Sequence, residues 1–287
     1  ILDEFLALSP AEKTDLNLQQ VATLTAGPEK ITTLDLSRSG VTDAGLKSLA
    51  AFPNLTALDL TDARITNRGM ADLAALKPLR SLKLANTQGI DNEGIKTLTA
   101  LKDLESLTIN SLAINDDVLP ILAEFEGLQT LNISRNPNIY GRGFTELASK
   151  GAFKRLKELS CGGSRFGTYG LQEMQRLPQL EVLRAGGCDA VGIAVNGLTA
   201  CNHLKILDLS GNTMVDANIK NINRMKNLEE LYLDGMPLTD EIFESIKSMK
   251  SLKILSVRGT RVREGAVVLL KEKFLKNTEI HAFERKF

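Results

Sequence analysis

The side chains that could carry chemistry are few. The chain has two histidines, His203 and His281, and neither has a carboxylate or cysteine at the spacing of a general base's partner or a zinc-ligand set. Of three cysteines, Cys161 falls on the inward strand column, Cys201 on the helix stripe and Cys188 in a buried polar column, and all three read as small core residues rather than nucleophiles. The adjacent glycines of "CGGSRFG" and "RAGGCDA" fit neither G-x-x-x-x-G-K-S/T nor G-x-G-x-x-G, so they do not make a phosphate loop. Lys150, Lys154, Arg155 and Lys157 cluster without an aromatic stacking series and read as a solvated face, not a nucleic-acid groove. No catalytic residue, metal site or cofactor is expected, and the reading is of a non-enzymatic chain.

Charge and hydropathy narrow the partners. Lysine plus arginine and aspartate plus glutamate both number 35, so net charge argues for neither nucleic acid nor an acidic membrane. No stretch reaches the roughly 18 to 20 apolar residues that cross a bilayer, and no membrane insertion is expected. Residues 1–62 hold nine acidic and four basic side chains, whereas residues 247–287 hold eleven basic and four acidic. That axial dipole permits weak, salt-sensitive head-to-tail self-association. The odd cysteine count leans toward a reducing compartment, while a chain starting at Ile1 leaves processing and secretion open.

These residues are positioned by a repeat. An L-x-x-L-x-L stretch starts at Ile31, Leu55, Leu79, Leu104, Leu128, Leu156, Leu180, Leu204, Leu228 and Leu252, with steps of 24, 24, 25, 24, 28, 24, 24, 24 and 24. Its period-two half predicts a short strand with one buried face. Triplets such as Leu46, Leu49 and Phe52, or Phe243, Ile246 and Met249, predict a helix stripe behind it. Thr42, Thr66 and Thr239 precede those helices as N-caps. One such unit cannot bury both its strand and its helix, so neighbours must stack into a parallel sheet.

The pattern resembles the leucine-rich repeat family from about Ile31 to Lys276, and most closely its 24-residue bacterial and F-box-associated, cysteine-containing type, as in "LTALDLTDARITNRGMADLAAL". The resemblance implies an α/β solenoid, a right-handed horseshoe with its sheet on the concave face and helices on the convex face. The expected organisation is an N-terminal helical cap over 1–30, ten repeats over 31–276, and a C-terminal strand or cap over 277–287. In the cap, Leu18, Val21 and Leu24 are expected on one helix, and Ile280 and Phe283 in the C-terminal element. The resemblance also implies binding of a protein partner, with two narrower readings: substrate recognition for a ubiquitin ligase, or a bacterial effector or surface protein aimed at host proteins. Any catalytic part would then lie outside this chain, and no F-box-like segment precedes the repeats here.

Two columns depart from regularity. The family's buried polar position reads Ser39, Ala63, Thr87, Leu112, Asn136, Ser164, Cys188, Asn212, Met236 and Thr260. Ala63, Leu112 and Met236 cannot satisfy turn backbone groups, so water or a rerouted turn is expected there. The preceding residue is Arg38, Asp62, Asn86, Ser111 and Arg135 in the first five repeats, then Gly163, Gly187, Gly211, Gly235 and Gly259. Those glycines read as turn residues or as an open lane along one lip. Strand alternation turns Val182, Arg184, Ile206, Asp208, Tyr232, Asp234, Ile254 and Arg258 outward, a mixture that resembles an interface hot spot and makes them the candidate partner-binding residues.

Overall fold

Leucines two residues apart bury alternate side chains of an extended segment, and the polar turn that follows ends the extension. Each strand of the repeat is accordingly three residues long, with its central leucine inward. The computed structural model describes residues 1–24 and 26–287, which form two compact units, unit one over 1–136 and unit two over 137–287.

Unit one begins with α1 (Leu2–Ala7) and α2 (Asp15–Ala22) and continues through β1 (Thr33–Asp35), α3 (Asp43–Leu46), β2 (Ala57–Asp59), α4 (Met70–Ala74), β3 (Ser81–Lys83), α5 (Asn92–Thr97), β4 (Ser106–Thr108), α6 (Val118–Leu122) and β5 (Thr130–Asn132). Its strands pair in parallel, with Leu34, Leu58, Leu82, Leu107 and Leu131 in register. Ahead of β1, Thr14 and Asn17 close a capping box on α2, and Leu18 and Val21 are fully buried. Leu24 lies beyond the end of α2 and is half-buried, so the helix is shorter than the apolar spacing predicts.

Unit two holds α7 (Phe144–Ser149), β6 (Glu158–Ser160), α8 (Gly167–Gln172), β7 (Val182–Arg184), α9 (Val195–Leu198), β8 (Ile206–Asp208), α10 (Asp216–Ile219), β9 (Glu230–Tyr232), α11 (Ile242–Ile246), β10 (Ile254–Ser256), α12 (Glu264–Lys273), β11 (Glu279–Ala282) and β12 (Arg285–Lys286). Leu159, Leu183, Leu207, Leu231, Leu255 and Ile280 form its in-register ladder. Phe144 stacks on Phe153 at 5.1 Å and meets Phe166 edge-on at 5.7 Å, so aromatic volume fills the space beside the 28-residue repeat. Ile280 is buried in β11, and the antiparallel β12 beside it has no apolar alternation to announce it.

The helix stripes are buried as expected, but most are α-helical for little more than one turn. Leu49 follows α3 in a 3-10 segment, Lys47–Ala51, and Phe52 lies just past it, both buried. A 3-10 turn advances about 2.0 Å per residue against about 1.5 Å for an α-helix, so a short repeat covers the strand length with fewer residues.

Candidate functional site

The turn after each strand sets what the sheet edge displays. In unit one Arg38, Asp62, Asn86, Ser111 and Arg135 take φ of 54°, 59°, 58°, 57° and 56°; in unit two Gly163, Gly187, Gly211, Gly235 and Gly259 take 68°, 60°, 69°, 67° and 63°. All ten turns are left-handed there, so glycine is not a requirement of the fold at this position. A side chain added at Gly187 would meet no atom within 4 Å, which leaves that lip open.

The next residue explains the turn's stability. Thr87 Oγ1 donates to Leu84 O at 2.5 Å, Thr260 Oγ1 to Val257 O at 2.7 Å, Cys188 Sγ to Ala185 O at 2.9 Å, and Ser164 Oγ to Cys161 O. Asn136 and Asn212 do the same and also reach back one repeat: Asn136 Oδ1 accepts from Leu112 N at 2.8 Å, and Asn212 Oδ1 from Cys188 N and Ala190 N at 3.2 and 3.0 Å. This corrects the expectation of a rerouted turn. Leu112 is served by the following repeat's asparagine, Ala63 N donates to Leu60 O at 3.0 Å, and the residues before Ala63, Leu112 and Met236 keep φ of 59°, 57° and 67°.

On the sheet face of unit two, register brings Arg184, Asp208 and Tyr232 side by side, with Val182, Ile206, Glu230 and Ile254 in the next column. Arg184 is exposed, and Ile206, Asp208, Tyr232 and Ile254 are half-buried. Val182 departs from the expected exposure: only 9% of it is accessible, so its neighbours cover it and it serves as floor. Ser256 in the same middle column is likewise buried, its hydroxyl donating to Asp234 Oδ1 at 2.6 Å.

Polar bonds fix these side chains. Tyr232 Oη donates to Glu230 Oε2 at 2.8 Å; burial first, then that carboxylate, pushes the phenol up to about 12. Asp234 Oδ1 also accepts from Arg258 N at 2.7 Å. Arg258 Nη2 lies 2.9 Å from His281 Nδ1, and since a guanidinium can only donate, the other ring nitrogen, Nε2, faces Glu279 Oε1 at 2.5 Å as a donor. Glu279 in turn pairs with Lys286 at 2.5 Å. This extension through His281, Glu279 and Lys286 was not among the expected site residues. Glu279 is the carboxylate beside a histidine that the spacing did not reveal, although alternation in "EIHA" puts both on one face.

The other chemically capable groups resolve as packing or surface pairs. A hydrogen bond with Cys188, then burial, pushes the Cys161 thiol well up, and burial pushes Cys201 up to about 12, so these thiols stay protonated. Among the described residues no group of three or more His, Cys, Asp or Glu could hold a metal ion, and no helix is long and apolar enough to cross a membrane. Lys150 pairs with Glu146 at 2.6 Å and Lys157 with Glu181 at 3.2 Å, in keeping with a solvated basic face.

A family profile described as a leucine-rich repeat matches residues 28–50, 53–74 and 200–217. No curated protein matches the sequence. Among solved structures, the internalin InlF of Listeria monocytogenes is similar at a TM-score of 0.63 and 16% identity, over 98% of this chain and 97% of its own. The Arabidopsis receptor kinase HAESA, solved in complex with the peptide hormone IDA and a co-receptor, is similar at 0.63 and 23%, over 91% of this chain and 45% of its own. A TDR receptor is similar at 0.56 and 18%, over 89% and 43%. The chain thus spans less than half the length of these two receptors, and at such identities the likeness carries the fold.

Proposed function

The chain is a leucine-rich repeat protein, and from that premise we propose that it is a non-enzymatic module that binds a protein partner on the exposed sheet face of unit two. The contact surface centres on Arg184, Ile206, Asp208, Tyr232, Asp234, Ile254 and Arg258, with Val182 as its floor. One observation carries the reading: Arg184 and Tyr232 flank half-exposed Ile206 and Ile254 on adjacent strands, and Tyr232 is already held by Glu230. Tyrosine and arginine around aliphatic surface contribute disproportionately to protein interfaces, and side chains fixed before binding lose less entropy on association.

Two outward positions on each three-residue strand give a strip only about 10 Å wide. A standard footprint of about 800 Å² per partner must therefore take in the turns beside it, and the open lip at Gly187 lies three residues past Arg184. A folded partner or an extended peptide suits such a surface better than a small metabolite, which would need a concave pocket. The peptide-hormone complex of the Arabidopsis neighbour supports the same class of ligand.

The test is affinity capture with the wild-type chain and with an Arg184→Ala, Tyr232→Ala double variant. Loss of about 2 kcal/mol or more for a captured partner is the expected result. Unchanged capture of every partner by the folded double variant removes the site.

A further inference from the structure

The sheet face of unit two ends on a histidine whose charge decides which of its bonds can exist. β11 continues the ladder past β10, with His281 beside Ser256 in register. His281 therefore closes the column that runs through Arg184, Asp208 and Tyr232, with 21% of its side chain accessible. Arg258, in the turn after β10, reaches across to it, Nη2 donating to His281 Nδ1 at 2.9 Å. The backbone of Arg258 is held separately by Asp234 Oδ1, which accepts from Arg258 N at 2.7 Å and from Ser256 Oγ at 2.6 Å. Among the described residues the imidazole is the one hydrogen-bond partner of that guanidinium.

A neutral imidazole has one bare nitrogen and an imidazolium has none. Here Nδ1 is the bare one, and Nε2 carries the hydrogen aimed at Glu279 Oε1 at 2.5 Å. The bond to Glu279 survives protonation, because Nε2 keeps its hydrogen in both forms. The bond from Arg258 does not: Nδ1 would become a donor, and two cations would face each other at 2.9 Å. Histidine is the side chain that ordinarily changes charge between about pH 5 and 8. The other charges near the ring are already engaged. Lys286, in register on β12, pairs with Glu279 at 2.5 Å, and Tyr232 on β9 donates to Glu230. On α12, which packs against β11, Glu264 pairs with Arg285 and Lys271 donates to Thr278 O. Glu284, in the turn between β11 and β12, is exposed.

We propose that His281 is a pH latch on the sheet face of unit two: neutral, it holds Arg258 in one orientation, and protonated, it releases Arg258 and weakens partner binding there. A side chain held before association gives up less freedom on binding, so release of one arginine lowers affinity by about threefold. His281 is thus a positioning residue that acts through Arg258. The effect on binding rests on the sheet-face reading, whereas the latch itself does not.

Nitrogen NMR of the isotope-labelled full chain, from about pH 8 to about pH 5, reads the latch directly. At the upper end His281 should show a bare Nδ1 and a protonated Nε2, with the Arg258 Nη hydrogens protected from exchange. That protection should disappear as His281 becomes charged. In His281→Asn, whose side-chain oxygen accepts near the place of Nδ1 and does not titrate, the protection should persist across the range. A hydrogen on Nδ1 at the upper end, or Arg258 signals indifferent to the charge of His281, overturns the latch whatever the sheet face binds. A partner captured at about pH 7.5 should bind about threefold more weakly at about pH 5.5. That difference should vanish in His281→Asn and in Arg258→Ala, an exposed position that serves should the first variant not fold. The same pH dependence in wild type and folded variants overturns the coupling to binding. Capture unchanged by Arg184→Ala with Tyr232→Ala instead removes the sheet-face site, and the NMR result alone then judges the latch.

Discussion

Units one and two build the same turn from different residues. Unit one forces arginine, aspartate, asparagine and serine into a left-handed backbone, whereas unit two uses glycine at every equivalent position with almost the same φ. For most L-residues that conformation costs about 1–2 kcal/mol, least for asparagine and aspartate. Unit one offsets the cost with the ladder from Asp15 to Asp91, which ties each helix start to the next. Unit two keeps such bonds at Thr168 with Val191 N, Asp216 with Thr239 N and Asp240 with Arg263 N, and exposes Tyr169, Val191, Ile193 and Val215 beside them. The contrast teaches that regular backbone geometry frees some side chains for display, and that the freed ones cluster in the second unit.

The largest effect is expected where the two units are alike. Asn212 makes four buried bonds, to Cys188 N, Ala190 N, Ala185 O and Leu209 O at 3.2, 3.0, 2.9 and 2.7 Å. Asn212→Leu should cost about 3–4 kcal/mol in urea unfolding, since each unmet buried backbone group costs about 1–3 kcal/mol and part of the turn relaxes. Asn136→Leu in unit one should behave similarly, because Asn136 serves Leu112 N, Ile109 O and Ile133 O. A loss below about 1 kcal/mol for both would mean that the asparagine column does not hold the turns.

Swapping the left-handed residues tests the contrast itself. Gly211→Ala should cost about 1–2 kcal/mol through backbone strain alone, because the added carbon would sit an ordinary 3.7 Å from Gly187 N. Ser111→Gly, at φ 57°, should gain up to about 1 kcal/mol. Opposite signs in the two units sharpen the comparison, and equal signs break it. Smaller again is the ladder: Asp43→Ala removes two bonds from Thr66 and should cost about 1 kcal/mol, while Val191→Thr should leave the denaturation midpoint unchanged within about 0.5 kcal/mol.

Much of this was legible beforehand because the repeat makes register a matter of counting. A period of 24 residues places Leu58 beside Leu82, and alternation turns Asp59, Arg184 and Tyr232 outward. What counting cannot supply is occlusion and reach. Val182 and Ser256 have the alternation of exposed residues, yet neighbouring columns cover them. Asn136 looks like one more member of its own turn, yet its oxygen serves Leu112 one repeat earlier. His281 and Glu279 are two apart in a segment too short to show periodicity, and their contact emerges only once β11 joins β10. The break between units at Asn136 and Pro137 coincides with the change from non-glycine to glycine turns, a composition shift visible in the sequence.

The two sheet faces should also differ in titration, the smallest effect and the most local. Burial pushes Asp59 in unit one up, but bonds from Thr61 and the Lys83 ammonium at 3.0 Å outweigh it and leave the carboxyl below its usual value. A group lowered in the fold contributes stability above the unfolded carboxylate pKa, and that contribution fades as pH falls through the folded one. Tyr232 in unit two is raised to about 12, so its contribution is complete below the ordinary phenol pKa near 10 and fades as pH rises through about 12. Asp59→Asn should therefore flatten the acid limb of stability against pH and leave the alkaline limb alone. Tyr232→Phe should do the reverse and remove the phenolate absorbance step that appears last in an alkaline titration. If Tyr232 titrates near 10 instead, its bond to Glu230 does not persist in solution, and the pre-fixed tyrosine on which the sheet-face site depends is lost.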